Sequence, residues 1–210
     1  MYSRFQLVKK YLTYYLTASN GKGHGIHSPF VFDFITNVLN DKKKYQEYET
    51  VEALRKEMLR DETILNIHDF GAGSSITKKN LPADQAGQRT IASIAKNAAK
   101  PKKFGQLLFR MVKAYQPEII LELGTSLGIT TSYLSLAKPN ARLITMEGAN
   151  EVAEIAGKNF KESGLENIRI EQGNFDITLP AILRGLSSVD FAFIDGNHRQ
   201  LPTENYFQQL

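Results

Sequence analysis

The second half of the chain alternates short apolar runs with longer stretches of helical spacing. The apolar runs predict strands over 118–123, 141–146, 167–172 and 189–194. The stretches between them predict helices over 128–137, 150–163 and 178–185, and a last helix from about Pro202. Strands separated by helices in this way lie parallel in one sheet. The pattern therefore predicts an α/β fold with a doubly wound, mostly parallel sheet.

The first half has mainly helical periodicity. It predicts helices over 2–17, from Pro29 to about Leu39, over 44–60, over 84–97 and over 101–115, with an irregular stretch over 63–81. Ser28 is typical of an N-cap and Pro29 of a first helical position. The change of rhythm predicts two parts, a mainly helical N-terminal extension over 1–100 and an α/β domain over 101–210.

Composition excludes several classes of protein. The 210 residues contain no cysteine, which excludes a disulfide scaffold, thiolate chemistry and cysteine-based metal sites. No apolar run is long enough for a transmembrane helix, and the first ten residues lack the pattern of a signal peptide. We therefore expect a cytoplasmic protein.

Charge is unevenly distributed behind the net value of +4. Residues 1–60 carry a net +4, residues 61–117 a net +5 and residues 118–210 a net −5. A basic region can mark contact with nucleic acid or with an anionic substrate. Solvated surface is the favoured interpretation of the lysine runs at 42–44, 78–79 and 102–103.

Residues 118–128 are the most informative stretch. An apolar strand breaks into a glycine-spaced turn that opens a helix, which is how α/β folds hold a nucleotide-like ligand. Glu122 is a lone carboxylate on the buried strand, and a ligand amine or ammonium would be a suitable partner. Ser126 stands where a dinucleotide-binding Gly-x-Gly-x-x-Gly motif needs its second glycine. The turn therefore favours a cationic ligand over a pyrophosphate.

Polar residues follow the other predicted strands, at the edge of the sheet where such folds bind ligands. Glu147 ends the second strand and is placed to accept hydrogen bonds from both hydroxyls of a ribose. Asn174 and Phe175 follow the third strand and suit the edge and the face of an adenine. Asp195 and His198 follow the fourth.

As a set, these residues resemble the class I S-adenosylmethionine-dependent methyltransferases over about residues 104–207. The small bacterial O-methyltransferases of the catechol type are the most similar. The resemblance implies a Rossmann-like sheet, S-adenosylmethionine as the cofactor, and methyl transfer to a hydroxyl of a small-molecule acceptor. The cofactor-binding residues that it implies, from the amino-acid end to the adenine, are Glu122, Gly124, Thr125, Ser126, Gly128, Glu147, Gly148, Asn174 and Phe175.

The candidate catalytic residues are Asp195 and His198. In metal-dependent catechol-type enzymes the residue matching Asp195 holds a divalent cation, so the resemblance implies a Mg²⁺ site there. The lysine that this family usually carries a few residues later is absent, and His198 stands nearby. A histidine could instead act as general base on the acceptor hydroxyl.

Two other functions stay open at the level of sequence. A nucleic-acid methyltransferase would suit the basic first half, although Asp195-Gly-Asn-His is not the Asn/Asp-Pro-Pro-aromatic motif of amino-directed enzymes. A non-catalytic module that binds the cofactor or a protein partner is the other alternative. Only four of the family's seven strands are predicted, so we expect a C-terminally truncated chain. Strand 189–194 would then be an exposed edge, and a homodimer is a further prediction.

Two glycine-rich segments have no assigned role. His24 and His27 stand in a loop that opens a helix, where they could reach a substrate or simply face solvent. The segment Asp69–Ser75 resembles a cofactor turn, but Ile64–Ile67 before it is too short for a central strand. We interpret this segment as a loop that could border the active site.

Overall fold

The structure is a computed structural model that describes residues 3–17, 27–67 and 87–210. The chain forms two compact units, Met1–Lys43 and Lys44–Leu210. His24 and the segment Asp69–Ser75 lie outside the described residues. None of the helices in the described ranges is long and apolar enough to cross a membrane.

The first unit contains two helical segments. Helix α1 covers Arg4–Thr17, and α2 covers Pro29–Asp33 and continues as a π-helical stretch over Phe34–Leu39. Ser28 caps α2, because its Oγ accepts a hydrogen bond from the backbone N–H of Val31. The predicted cap and helix start are therefore confirmed.

The second unit alternates strands and helices along most of its length. In chain order the elements are α3 Glu47–Met58, β1 Ile64–Asn66, β2 Gln88–Thr90, α4 Ile91–Asn97, α5 Lys102–Tyr115, β3 Ile119–Leu123, α6 Ile129–Ala137, β4 Arg142–Glu147, α7 Asn150–Glu162, β5 Ile168–Gln172, α8 Phe175–Leu183, β6 Phe191–Ile194 and α9 Gln200–Gln209.

The main sheet has the strand order β5-β4-β3-β6, and every neighbouring pair is parallel. β3 is paired on both sides, and its residues from Ile120 to Leu123 are fully buried. A strand buried on both faces needs a continuous apolar run, which explains the sequence around Glu122. The predicted doubly wound, parallel sheet is confirmed.

A small antiparallel pair corrects two predictions about the first half. β1 pairs with β2, with Leu65 opposite Arg89. Part of the stretch predicted to be irregular is thus a strand, and the helix predicted over 84–97 begins only at Ile91. The reason is Thr90, whose Oγ1 accepts a hydrogen bond from the Ser93 N–H and caps α4. Strands of three residues are too short to show a period.

Helix α8 begins earlier than predicted, at Phe175 instead of about residue 178. Asn174 caps it, because its Oδ1 accepts a hydrogen bond from the backbone N–H of Asp176. The helix therefore starts directly after β5 and carries Phe175 into the core.

The boundary predicted at residue 100 falls inside the second unit, because both sides of it share the same cores. Tyr48 and Val51 of α3 pack with Phe109 of α5 and Tyr133 of α6. Leu65 of β1 and the apolar face of α4 join a cluster with Leu127 and the start of α7. The described residues of 44–67 and 87–100 therefore pack as part of the α/β unit.

Candidate active site

A cavity of about 550 Å³ lies at the carboxyl ends of the four parallel strands. Nine of the eleven predicted site residues line it, and Glu122 and Gly128 do not. The nine are Gly124, Thr125, Ser126, Glu147, Gly148, Asn174, Phe175, Asp195 and His198. The sheet thus brings together side chains that are up to 74 positions apart in the chain, from Gly124 to His198.

The turn after β3 is held against the ends of its two neighbouring strands. The backbone N–H groups of Gly124 and Thr125 both donate to the carbonyl of Met146. Gly124 has φ +107°, and a Cβ there would lie 2.6 Å from the carbonyl oxygen of Asp195. Glycine is therefore required both by the backbone conformation and by the close approach of the β6 loop.

Gly128 has a structural role at the start of α6. Its φ is +82°, and a Cβ there would collide with the ring of Phe160. Glycine at this position lets α6 and α7 pack closely, and the cavity wall passes beside it. Its predicted contact with the cofactor stays a prediction.

Glu122 lies beneath the turn in a network of threonine hydroxyls. The hydroxyls of Thr131 and Thr145 donate to its Oε2 at 2.5 and 2.7 Å, and Thr125 Oγ1 lies 2.6 Å from Thr145 Oγ1. Burial raises the pKa of Glu122 to about 8, against the lowering effect of the two hydroxyl bonds. In the structure its partners are these hydroxyls, while the predicted partner was a ligand ammonium.

Glu147 connects the second strand end to the turn. Its Oε2 accepts a hydrogen bond of 2.8 Å from the Ser126 N–H, and its Oε1 accepts one of 3.0 Å from the Ala149 N–H. These bonds fix the carboxylate at the cavity wall next to Gly148. Each carboxylate oxygen can accept further bonds, so the group can still receive ligand hydroxyls.

Phe175 and Tyr206 form the wall at the third strand end. A Cβ at Gly196 would collide with the Phe175 ring, so the loop after β6 packs directly on that ring. Tyr206 is fully buried on α9, donates from its hydroxyl to Asp176 Oδ1, and accepts from Asn197 Nδ2. Burial raises the pKa of Tyr206. This network holds the loop after β6 on α8.

Asp195 forms an ion pair that the sequence did not predict. Its Oδ1 lies 2.7 Å from Nζ of Lys100 and 3.9 Å from Nε2 of His198. The Asp195 side chain is 16% exposed and that of His198 is 66% exposed. The segment after Asp195 lacks the family's usual lysine. Lys100, in the segment before α5, supplies an ammonium next to Asp195 instead.

The described residues do not fit the metal site implied for Asp195. No group of three His, Asp or Glu side chains in the described part of the chain could hold a metal ion. The carboxylate of Asp195 is instead neutralised by the Lys100 ammonium.

Residues 87–100 supply a second wall of the cavity that sequence reasoning missed. Arg89, Ile94, Asn97 and Lys100 all line it. These residues belong to β2, α4 and the following connection, and no motif marks them. Their only signal in the sequence is the net charge of +5 over residues 61–117.

Comparison with known proteins identifies the family. A family model described as a methyltransferase domain matches residues 121–210. The catechol O-methyltransferase of Niastella koreensis is 33% identical over 142 residues, which are 66% of this chain and 57% of that protein. These matches support a class I S-adenosylmethionine-dependent methyltransferase. The family predicted from the strand-end residues is confirmed.

Solved methyltransferase structures share the fold. The O-methyltransferase TomG from Streptomyces achromogenes, in complex with S-adenosylmethionine, is 30% identical with a TM-score of 0.51, over 54% of this chain and 51% of that one. An O-methyltransferase from Bacillus cereus in complex with S-adenosylhomocysteine has a TM-score of 0.52 at 21% identity, over 86% of this chain and 66% of that one. The methyltransferase chain described here spans between half and two thirds of the length of these three proteins.

Proposed function

We propose that the protein transfers a methyl group from S-adenosylmethionine to a hydroxyl of a small-molecule acceptor. The observation that carries the proposal is that Glu147, Asn174 and Phe175 line the same cavity as Asp195 and His198. The first three suit a nucleoside, and the last two suit a reacting hydroxyl. The 30% identical TomG, whose structure contains S-adenosylmethionine, supports the choice of cofactor.

The cavity fits this cofactor. A carboxylate held by two backbone N–H groups at the end of β4 is suited to accept both ribose hydroxyls. The ring of Phe175 is buried but lines the cavity, where it offers a face for the adenine, and the turn at Gly124–Ser126 lines the cavity beside the position proposed for the amino-acid end. When bound, S-adenosylmethionine supplies an electrophilic methyl group on a sulfonium.

The acceptor end is formed by three charged or titratable side chains. Asp195 Oδ1 lies 2.7 Å from Lys100 Nζ and 3.9 Å from His198 Nε2, so its negative charge stands beside the imidazole. We assign His198 as the general base that removes the acceptor's hydroxyl proton, and Asp195 as the group that stabilises the resulting imidazolium. These roles of His198 and Asp195 do not depend on a metal ion.

Three further features stay predictions. A homodimer, an action on nucleic acid and a cytoplasmic location have no direct support in the geometry of the site. The name of the Niastella koreensis relative, a catechol O-methyltransferase, favours a small acceptor over nucleic acid.

The proposal is tested by incubating the purified protein with methyl-labelled S-adenosylmethionine and a panel of catechols, sugars and RNA. We expect label in a small hydroxylated acceptor, and a loss of at least about tenfold in kcat for His198→Gln. Affinity for the cofactor should stay unchanged in this variant, because His198 is assigned to the acceptor end. Label in RNA alone, or an unchanged kcat for His198→Gln, would contradict the proposal.

A further inference from the structure

Arg89 is a cation on the cavity wall that has no anionic partner among the residues that the structure describes. Among the residues that the structure describes, none forms an ion pair or a side-chain hydrogen bond with its guanidinium. The residue is partly buried and lines the cavity. A guanidinium that is partly removed from water is costly unless an anion satisfies it. The guanidinium of Arg89 is therefore available to form an ion pair with an anionic group of a ligand.

The two acidic groups of the cavity wall are already engaged. Glu147 accepts from the backbone N–H groups of Ser126 and Ala149, and Asp195 pairs with Lys100. Neither carboxylate neutralises Arg89. A bound cofactor with a sulfonium would add positive charge to the same cavity, so the unmatched charge would grow when the cofactor binds.

Strand pairing fixes the position of Arg89. The residue lies in β2 directly opposite Leu65 of β1, and Leu65 is buried in the cluster that contains Leu127 and the start of α7. The cap at Thr90 then starts α4 immediately after it. A side chain on a strand that is paired and packed on a buried cluster in this way is held near one position, which a binding residue needs.

We propose that Arg89 binds an anionic group of the methyl acceptor, so that the acceptor class is a hydroxylated carboxylate or phosphate. The planar guanidinium matches both anions with two parallel hydrogen bonds. The inference rests on the proposed function, because it assigns the acceptor of the same site. The acceptor would place its hydroxyl at Asp195 and His198 and its anion at the wall formed by β2.

The test is equilibrium binding of matched acceptor pairs to the protein saturated with S-adenosylhomocysteine. The carboxylate pair is 3,4-dihydroxybenzoate and catechol, and the phosphate pair is hydroquinone monophosphate and hydroquinone. We expect the unaltered protein to bind at least one anion about tenfold or more tightly than its neutral partner. Arg89→Gln should remove this difference, and Arg89→Lys should keep only part of it.

A control variant and the affinity for S-adenosylhomocysteine distinguish acceptor binding by Arg89 from a general charge effect and from cofactor binding. Lys96→Gln removes an exposed charge from α4 outside the cavity and should keep the preference for the anion. Equal binding of acid and neutral partners by the unaltered protein would overturn the inference. So would an Arg89→Gln variant that loses affinity for S-adenosylhomocysteine instead, because Arg89 would then bind the cofactor's carboxylate. Failure of the unaltered protein to bind S-adenosylhomocysteine would instead overturn the proposed function.

Discussion

At the scale of the residue, the strand-end side chains were predictable because each follows an apolar run directly. Glu147, Asn174 and Asp195 end successive strands, and parallel strands bring such ends to one edge. Arg89 and Lys100 could not be found in this way. Their positions depend on how β2 and the connection before α5 pack on the sheet, which no local pattern encodes.

Glu122 was singled out from the sequence, but its hydrogen-bond partners also depend on packing that no local pattern encodes. A buried carboxylate predicted a cationic partner, but the structure satisfies one of its oxygens with two threonine hydroxyls. Its other oxygen, Oε1, is buried without a hydrogen-bond partner among the described residues. The threonines of this network, Thr125, Thr131 and Thr145, lie in the turn after β3, in α6 and in β4, so only the fold reveals the network.

We predict that Glu122→Gln reduces the pH dependence of stability. The folded protein holds this proton to about pH 8, whereas the unfolded chain loses it near its ordinary value of 4.5. Stability from this group is therefore complete below pH 4.5 and falls between pH 4.5 and 8, by up to about 1.4 kcal/mol per pH unit. A neutral amide has no such proton to lose, so the variant should gain stability relative to the unaltered protein as the pH rises.

Urea unfolding at pH 5, 6.5 and 8 measures this difference. Glu154→Gln, which changes an exposed carboxylate on α7, is the control and should keep the slope of the unaltered protein. An equal pH slope for Glu122→Gln and the unaltered protein would mean that Glu122 is ionised in the folded state.

At the scale of the element, the clear apolar periodicity of the longer stretches predicted the central sheet and its helices. The wrong predictions concern strands of three residues and helix starts that are set by a capping side chain. β1 and β2 have three residues each, and their pairing is set by contacts between residues 64 and 90. The starts of α4 and α8 depend on side-chain caps at Thr90 and Asn174. A capping side chain fixes the first residue of a helix through one hydrogen bond and does not alter the apolar periodicity. The periodicity alone therefore predicts the wrong first residue for these two helices.

The packing of α5 on α6 gives a prediction at this scale. A Cβ at Gly105 would lie 2.6 Å from two ring atoms of Tyr133, which is fully buried and donates to Glu52 Oε1 at 2.7 Å. Gly105→Ala should therefore destabilise the protein by about 1–3 kcal/mol through overpacking. Chemical denaturation measures the change in the free energy of unfolding.

Gly157 in α7 provides the matched control. Its nearest neighbour for an added Cβ is Ile170 Cδ1 at 3.6 Å, an ordinary contact. Gly157→Ala should leave stability unchanged or raise it by up to about 1 kcal/mol through helix propensity. If Gly105→Ala were as stable as Gly157→Ala, the close approach of α5 to Tyr133 would be incorrect.

At the scale of the whole molecule, one stretch of the chain forms the part of the cavity that the family model covers, and an earlier stretch forms a second wall. The family model covers residues 121–210, which include β3 to β6 and the strand-end residues proposed to bind the cofactor. The wall with Arg89 and Lys100 lies before that stretch. We expect residues common to the family to decide cofactor binding and residues 87–100 to decide which acceptor fits.

The most direct test of the central claim is calorimetric titration of the protein with S-adenosylhomocysteine. We predict saturable binding to one site, weakened by about tenfold or more in Glu147→Ala, because the ribose hydroxyls would lose their charged acceptor. Glu154→Ala, an exposed change on α7, should bind like the unaltered protein. No binding by the folded, unaltered protein, or equal affinity in Glu147→Ala, would contradict the claim that this cavity holds the methyl donor.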